Sequence, residues 1–133
     1  MTAPPSFLAA SLSVAAGGAV GAWLRFALGR MIGPAAFPVA TLTINVLGSL
    51  LMGLLAGWLA RHGTVDNGGG EQWRLLLGVG LLGGFTTFSA FSLEIVTLAQ
   101  RGATAQAALY IALSLAGGIG GLLLGLTLSR GIA

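Results

Sequence analysis

Apolar residues run along this chain in four long blocks, each closed by a charged, aromatic or glycine-containing segment. The blocks extend from about Ser6 to Leu28, Val39 to Leu59, Trp73 to Ala99 and Ala103 to Leu128. Each is long enough to cross a hydrocarbon core of about 30 Å as a helix. The first closes on Arg25 and Arg30 before a Gly33-Pro34 turn, and the second on Arg61-His62. Residues Gly63 to Gln72 contain Asp66-Asn67-Gly68-Gly69-Gly70-Glu71 and read as a flexible loop. Arg101-Gly102 is a tight turn between the third and fourth blocks, and Trp58 and Trp73 stand at span ends, where indole rings favour the membrane interface. The pattern predicts an all-α integral membrane protein with four transmembrane helices in a single membrane domain, 1–133.

Composition agrees with this and narrows the classes. Hydrophobic residues make up 56% of the chain and charged ones 7%, against about 25% charged in soluble domains. Intrinsic disorder requires the opposite balance. The sequence pI of about 11.3 rests on Arg residues placed singly at span ends, where they meet lipid headgroups; no basic run calls for nucleic acid. There is no cysteine, so disulfides, thiolate chemistry and Cys-based zinc sites are excluded. Met1 to Ser13 carries no positive charge before its apolar stretch, unlike a cleavable signal peptide.

Charge placement bears on topology. Arg61, Arg74 and Arg130 fall on one side of the membrane, and Arg25, Arg30 and Arg101 on the other. The positive-inside rule therefore selects no orientation, which is compatible with a chain that inserts both ways and pairs head to tail, or with one oriented by subtler signals. Glycine pairs at small-xxx-small spacing occur in every block: Gly17/Gly21, Gly53/Gly57, Gly80/Gly84 and Gly117/Gly121/Gly125. Such pairs bring helices close in lipid, and four small-residue helices enclose little alone, so an oligomer is expected.

The candidate chemistry concentrates in the third block, at Gly83-Gly84-Phe85-Thr86-Thr87-Phe88-Ser89-Ala90-Phe91-Ser92. Two glycines followed by two β-branched threonines are poor helix formers. At mid-membrane depth a break there must be buried in protein or line a wet cavity, as where transporters and channels hold ions. The alternative is an intact helix with hydroxyls bonded to the preceding turn. Phe85, Phe88 and Phe91 fall at i, i+3, i+6 and would share one helical face, serving either packing or, through their positive ring edges, an anion. In the second block Thr41, Thr43 and Asn45 interrupt the apolar run; the Asn45 amide is either interhelical glue or a donor to a passing anion. Tyr110 and Ser114, one turn apart, prolong a polar file in the fourth block. Glu94 is an intramembrane acid, by default a proton or cation site, or else part of a vestibule. Arg25 is either a headgroup anchor or an anion attractor at a pore mouth.

Enzyme templates are not met. No Ser-His-carboxylate set lies at membrane depth, His62 has no second His to share a metal, and Gly68-Gly69-Gly70 lacks the Lys-Ser/Thr of a P-loop. Catalysis is not expected.

Three segments together resemble one family. Gly17-Gly18-Ala19-Val20-Gly21-Ala22-Trp23-Leu24-Arg25-Phe26 looks like its opening motif; Thr41-Leu42-Thr43-Ile44-Asn45-Val46-Leu47-Gly48-Ser49 is similar to its second; Gly83-Gly84-Phe85-Thr86-Thr87-Phe88-Ser89 matches its third-span signature. The chain is similar over all four spans to the small fluoride channels called Fluc or CrcB. The resemblance implies a dual-topology, antiparallel homodimer in the cell inner (plasma) membrane, with a third helix broken mid-membrane. It implies a passive, fluoride-selective path that lowers cytoplasmic fluoride, lined by Asn45, Phe88, Phe91, Ser89, Thr41, Tyr110 and Ser114, with Arg25 and Glu94 in the vestibule. It also implies a structural Na+ at the dimer centre on the backbone carbonyls of Gly83 and Thr86. Ala90 stands where many relatives carry Thr, Phe26 replaces a frequent Tyr, and Gly118 falls one turn after Ser114, where another hydroxyl would extend the polar track. Two other classes share parts of this pattern: a proton-coupled four-helix drug or cation exporter using Glu94, and a membrane subunit that packs on a larger partner. Exporters of that type look for their acid in the first span, where this chain has none.

Overall fold

The computed structural model describes residues 5–62 and 69–131. It is helical throughout, and four segments are long and apolar enough to cross a membrane: Phe7–Ile32, Val39–His62, Gly70–Gln100 and Thr104–Ser129. The first helix, α1 (Phe7–Ile32), starts at Ser6, whose hydroxyl accepts the Ala9 amide at 3.3 Å. It stops at Gly33, which takes φ 78° and returns its N–H to the Gly29 carbonyl at 3.0 Å. A side chain resists that left-handed conformation, so the expected Gly33-Pro34 turn has a local cause. Helix α2 (Val39–His62) follows, ending on Arg61 and His62, where cations suit the negative end of the dipole.

The third span is composite. It begins as α3 (Gly69–Trp73), becomes a π-helix over Arg74–Leu82, closes a last turn in α4 (Gly83–Phe85), breaks at Thr86-Thr87 and resumes as α5 (Phe88–Gln100). Two details correct the expectations. Gly69 to Gln72 belongs to a helix, stabilised by a bidentate Glu71–Arg74 pair at 2.8 Å; the rest of the expected loop, 63–68, lies outside the described residues. The π-helix had no sequence cue; its wide turns end where the Gly83 N–H is shared between the Gly78 and Gly80 carbonyls. The turn into α6 (Thr104–Gly131) runs through Arg101 and Gly102, the latter at φ 76°, with Ala103 N–H bonded to the Leu98 carbonyl at 3.0 Å.

The helices associate in two tight pairs, α1 with the first half of the third span and α2 with α6, while α5 lies on α6. Glycines make both pairs possible. A Cβ on Gly17 or Gly21 would fall on the carbonyl oxygens of Leu76 and Leu81, and one on Gly84 would lie 2.6 Å from the Gly18 oxygen. In the other pair, a Cβ on Gly53 or Gly125 would fall on the carbonyls of Leu122 and Leu50. The small-xxx-small pairs are thus used within one chain, where backbones meet at distances no side chain permits.

Candidate functional site

The site is built around Thr86-Thr87, close to the middle of a 31-residue span. Both residues are extended: Thr86 has ψ 159°, and Thr87 has φ −150° and ψ 122°. Gly83 keeps helical angles, φ −64° and ψ −38°, so the two glycines before the break are not themselves the break. Gly84 instead lets α1 approach, and the β-branched threonines carry the extended backbone.

A break at this depth strands backbone groups, and side chains from three helices meet them. Asn45 on α2 engages Thr87 twice: its Nδ2 donates to the Thr87 carbonyl at 3.0 Å, and its Oδ1 accepts the Thr87 N–H at 2.9 Å. Arg25 on α1 donates from Nη1 to the Thr86 carbonyl at 3.2 Å. Thr87 caps α5, its Oγ1 accepting the Ala90 N–H at 3.2 Å and lying 3.3 Å from Ser89 Oγ. Thr86 Oγ1 bonds back to the Leu82 carbonyl at 2.9 Å. Helix break and hydroxyl back-bonding, posed as alternatives in the sequence, both occur, one residue apart. The Thr87 N–H that an unbroken helix would send to the Gly83 carbonyl goes to Asn45, so the Gly83 oxygen is released on an exposed residue.

The same break separates the phenylalanines expected on one face. Phe85, 6% exposed, ends the first half of the span, whereas Phe88, 78% exposed, opens the second. The extended Thr86-Thr87 backbone between them destroys the 3.6-residue register. Phe88 and Phe91 do stay together, with ring centroids 5.7 Å apart, and Phe91 packs at 5.1 Å on the fully buried Tyr110. Phe37 meets the other side of Tyr110 edge-on at 5.6 Å.

Glu94 is placed one helical step below this aromatic group. Thr41 Oγ1 donates to its Oε1 at 2.7 Å and Tyr110 OH to its Oε2 at 2.6 Å. The carboxylate thus ties α2, α5 and α6 together. Ser114 Oγ is buried with no hydrogen-bond partner. Thr43, considered with Thr41 and Asn45, is exposed on the apolar flank of α2.

Two cavities with polar groups in their walls flank the break and share Thr87. One, about 460 Å³, is lined by Arg25, Arg30, Thr41, Thr87 and Ser89 among others. The second, about 270 Å³, is lined by Asn45, Ser49, Thr86, Thr87 and Phe88, with Gly48, Met52 and Leu122. Their α2 walls are successive, Ala40 to Ile44 and then Asn45 to Met52, so the cavities follow one another along the helix axis with Thr87 common to both. Reading from sequence missed Ser49 as a wall residue and the engagement of Arg25 and Asn45 with the break. Ser49 stands four residues after Asn45, a spacing that puts both on one helical face.

Four spans, a third span interrupted at mid-depth, and hydroxyl, amide and guanidinium groups gathered around the interruption define a polytopic membrane protein of the ion-conducting kind. The chain belongs to the family described as CrcB-like protein, Camphor Resistance (CrcB), whose profile matches residues 12–126. It is 58% identical over 131 residues to a protein of Novosphingobium aromaticivorans named fluoride-specific ion channel FluC, covering 95% of this chain and all of that one. Proteins of the same name from Erythrobacter litoralis and Caulobacter vibrioides are 54% and 49% identical, over 97% and 90% of this chain and 96% and 94% of theirs.

Proposed function

We propose that this protein is a fluoride-selective channel of the cell membrane that lets fluoride leave the cell passively, working as an antiparallel homodimer. The observation that carries the reading is a pair of cavities, successive along α2, with amide, hydroxyl and guanidinium groups in their walls and Thr87 common to both. Relatives that share about half or more of its residues over nearly their full length bear the fluoride-channel name.

Fluoride holds water strongly, and bringing a monovalent ion into an idealised low-dielectric medium costs on the order of 20 kcal/mol. A path must replace that water with donors that grip weakly enough to release. Asn45, Thr41 and Ser89 supply amide and hydroxyl donors in the cavity walls, the buried Tyr110 and Ser114 hydroxyls lie outside both linings, and the edges of Phe88 and Phe91 add positive quadrupole. Thr87 caps the Ala90 N–H, while the Phe88 and Ser89 N–H groups that open α5 have no intrahelical partner, and this end of the helix dipole favours an anion. Thr41 and Tyr110 spend their protons on Glu94, so along that stretch fluoride competes with a resident carboxylate for the same donors.

The dimer is supported by what one chain leaves open. Phe88 and Ser89 are exposed, and both cavities lie on the surface of the single subunit, so a second copy closes the path. The released Gly83 carbonyl and the Thr86 carbonyl, which keeps a lone pair beyond the Arg25 bond, are hard oxygen donors that fit a sodium ion shared with the partner's equivalents. Such an ion would supply fixed positive charge without a basic side chain at mid-membrane. Glu94, in the third span, is held by hydroxyls of α2 and α6, and nothing in its surroundings favours the exporter reading.

Proteoliposomes loaded with fluoride or chloride salts test this directly. Rapid fluoride release with negligible chloride release is expected; equal release of both removes the selectivity, and release of neither from folded protein overturns the channel.

A further inference from the structure

Thr41, Asn45 and Ser49 stand at i, i+4, i+8 on α2, about 6 Å apart along the axis, and form a polar ladder facing the break. The first two rungs are committed in whole or in part: Thr41 Oγ1 gives its one proton to Glu94, and Asn45 Nδ2 gives one of its two to the Thr87 carbonyl. The third is not, for among the described residues the Ser49 hydroxyl has no hydrogen-bond partner, yet it lines the cavity that Asn45, Thr87 and Phe88 also line.

The fourth span has a polar stripe of its own, Tyr110 then Ser114, which lies outside the lining of that cavity and lapses one turn later at Gly118. The two features meet. A Cβ built on Gly118 has one neighbour within 4 Å, Ser49 Oγ at 3.6 Å. Leu122, one turn beyond Gly118, closes the same cavity. Beside the position where α6 carries no side chain, a hydroxyl projects from α2, 3.6 Å from where the first side-chain atom of residue 118 would lie.

We infer that Ser49 is a further fluoride-binding residue of the path, donating its free hydroxyl where Gly118 leaves the fourth helix without one. The inference rests on the channel reading. Chemically it asks for what a hydroxyl does best, a short O–H donor to a small, hard anion, with no competing protein acceptor to release first.

The test is fluoride efflux from proteoliposomes carrying wild type, Ser49→Ala, Gly118→Ser, and Ser49→Ala combined with either Gly118→Ser or Gly118→Ala. Elution volume in detergent checks that each assembles as wild type does. Ser49→Ala is expected to slow fluoride release about tenfold, the worth of one lost hydrogen bond. Adding Gly118→Ser returns release to within about threefold of wild type, because the new hydroxyl enters the same space, whereas adding Gly118→Ala does not. Ser49→Thr, which keeps the hydroxyl, conducts. Unchanged release from Ser49→Ala overturns the inference, as does failure of Gly118→Ser to restore it or rescue by Gly118→Ala, which would make the effect one of packing. Loss of release from wild type itself would instead overturn the channel reading.

Discussion

The two halves of the third span are built on opposite plans. The first, a π-helix ending in α4, carries Gly78, Gly80, Gly83 and Gly84 and associates with α1 backbone to backbone. The second, α5, has no glycine; it carries Phe88, Ser89, Phe91, Ser92 and Glu94 and meets its neighbours through hydroxyls, a carboxylate and aromatic rings. One half removes side chains so that helices can touch, and the other keeps polar side chains at a depth where each is costly unless partnered. In lipid, close packing holds the scaffold and expensive polarity marks where an ion is handled.

The most damaging way to break this comparison is to give the first half a side chain. In Gly21→Val the new Cβ would fall on the Leu81 carbonyl, a backbone atom that cannot turn aside. A loss of at least about 3 kcal/mol is expected, seen as failure to extract folded protein. Gly120→Ala, with open space around it, should leave yield and thermal stability unchanged. Equal behaviour of the two would remove glycine packing as the organising contact.

The second half should fail differently. Asn45→Leu deletes both bonds that hold Thr87 in its extended form, leaving its N–H and carbonyl without their partner. Fluoride efflux is expected to fall by about a hundredfold or more, for two lost hydrogen bonds, while assembly in detergent is retained. Efflux at the wild-type rate would reduce Asn45 to helix–helix glue.

This division was only partly legible in the sequence. Hydropathy located all four spans because a membrane leaves the chain little choice, and Gly33 and Gly102 ended helices where their spacing said they would. The run of two glycines and two threonines announces a break at mid-span, although only the threonines carry it. The rest depends on partners distant in the chain. The Thr41–Glu94 bond spans 53 residues and the Arg25–Thr86 bond 61, so no local pattern contains them. A 3.6-residue repeat puts Phe85 with Phe88 and Phe91 because it assumes an unbroken axis, and the π-helix leaves no mark because its residues read as an ordinary apolar helix.

The subtlest difference between the halves is electrostatic. The N-terminal end of α5 faces the larger cavity, whose wall also holds Arg25 and Arg30. Arg25 is committed to the Thr86 carbonyl, while Arg30 is exposed and among the described residues bonds to no protein acceptor. If this cavity is where an anion enters the second half, Arg30 works as a free charge at the mouth, raising local anion concentration without gripping it. Arg30→Gln should then slow fluoride release about two- to threefold at low ionic strength, with the effect fading as salt shortens the Debye length to about 10 Å at 0.1 M. Arg101→Gln is the comparison, on the same side of the membrane but outside the cavity wall, and should change release by less. Arg25→Gln should slow it at every salt concentration, since that side chain acts by a direct bond rather than through the field. An Arg30 effect that persists in high salt, or one matched by Arg101, would place the entrance elsewhere and leave the second half distinguished from the first by its hydrogen bonds alone.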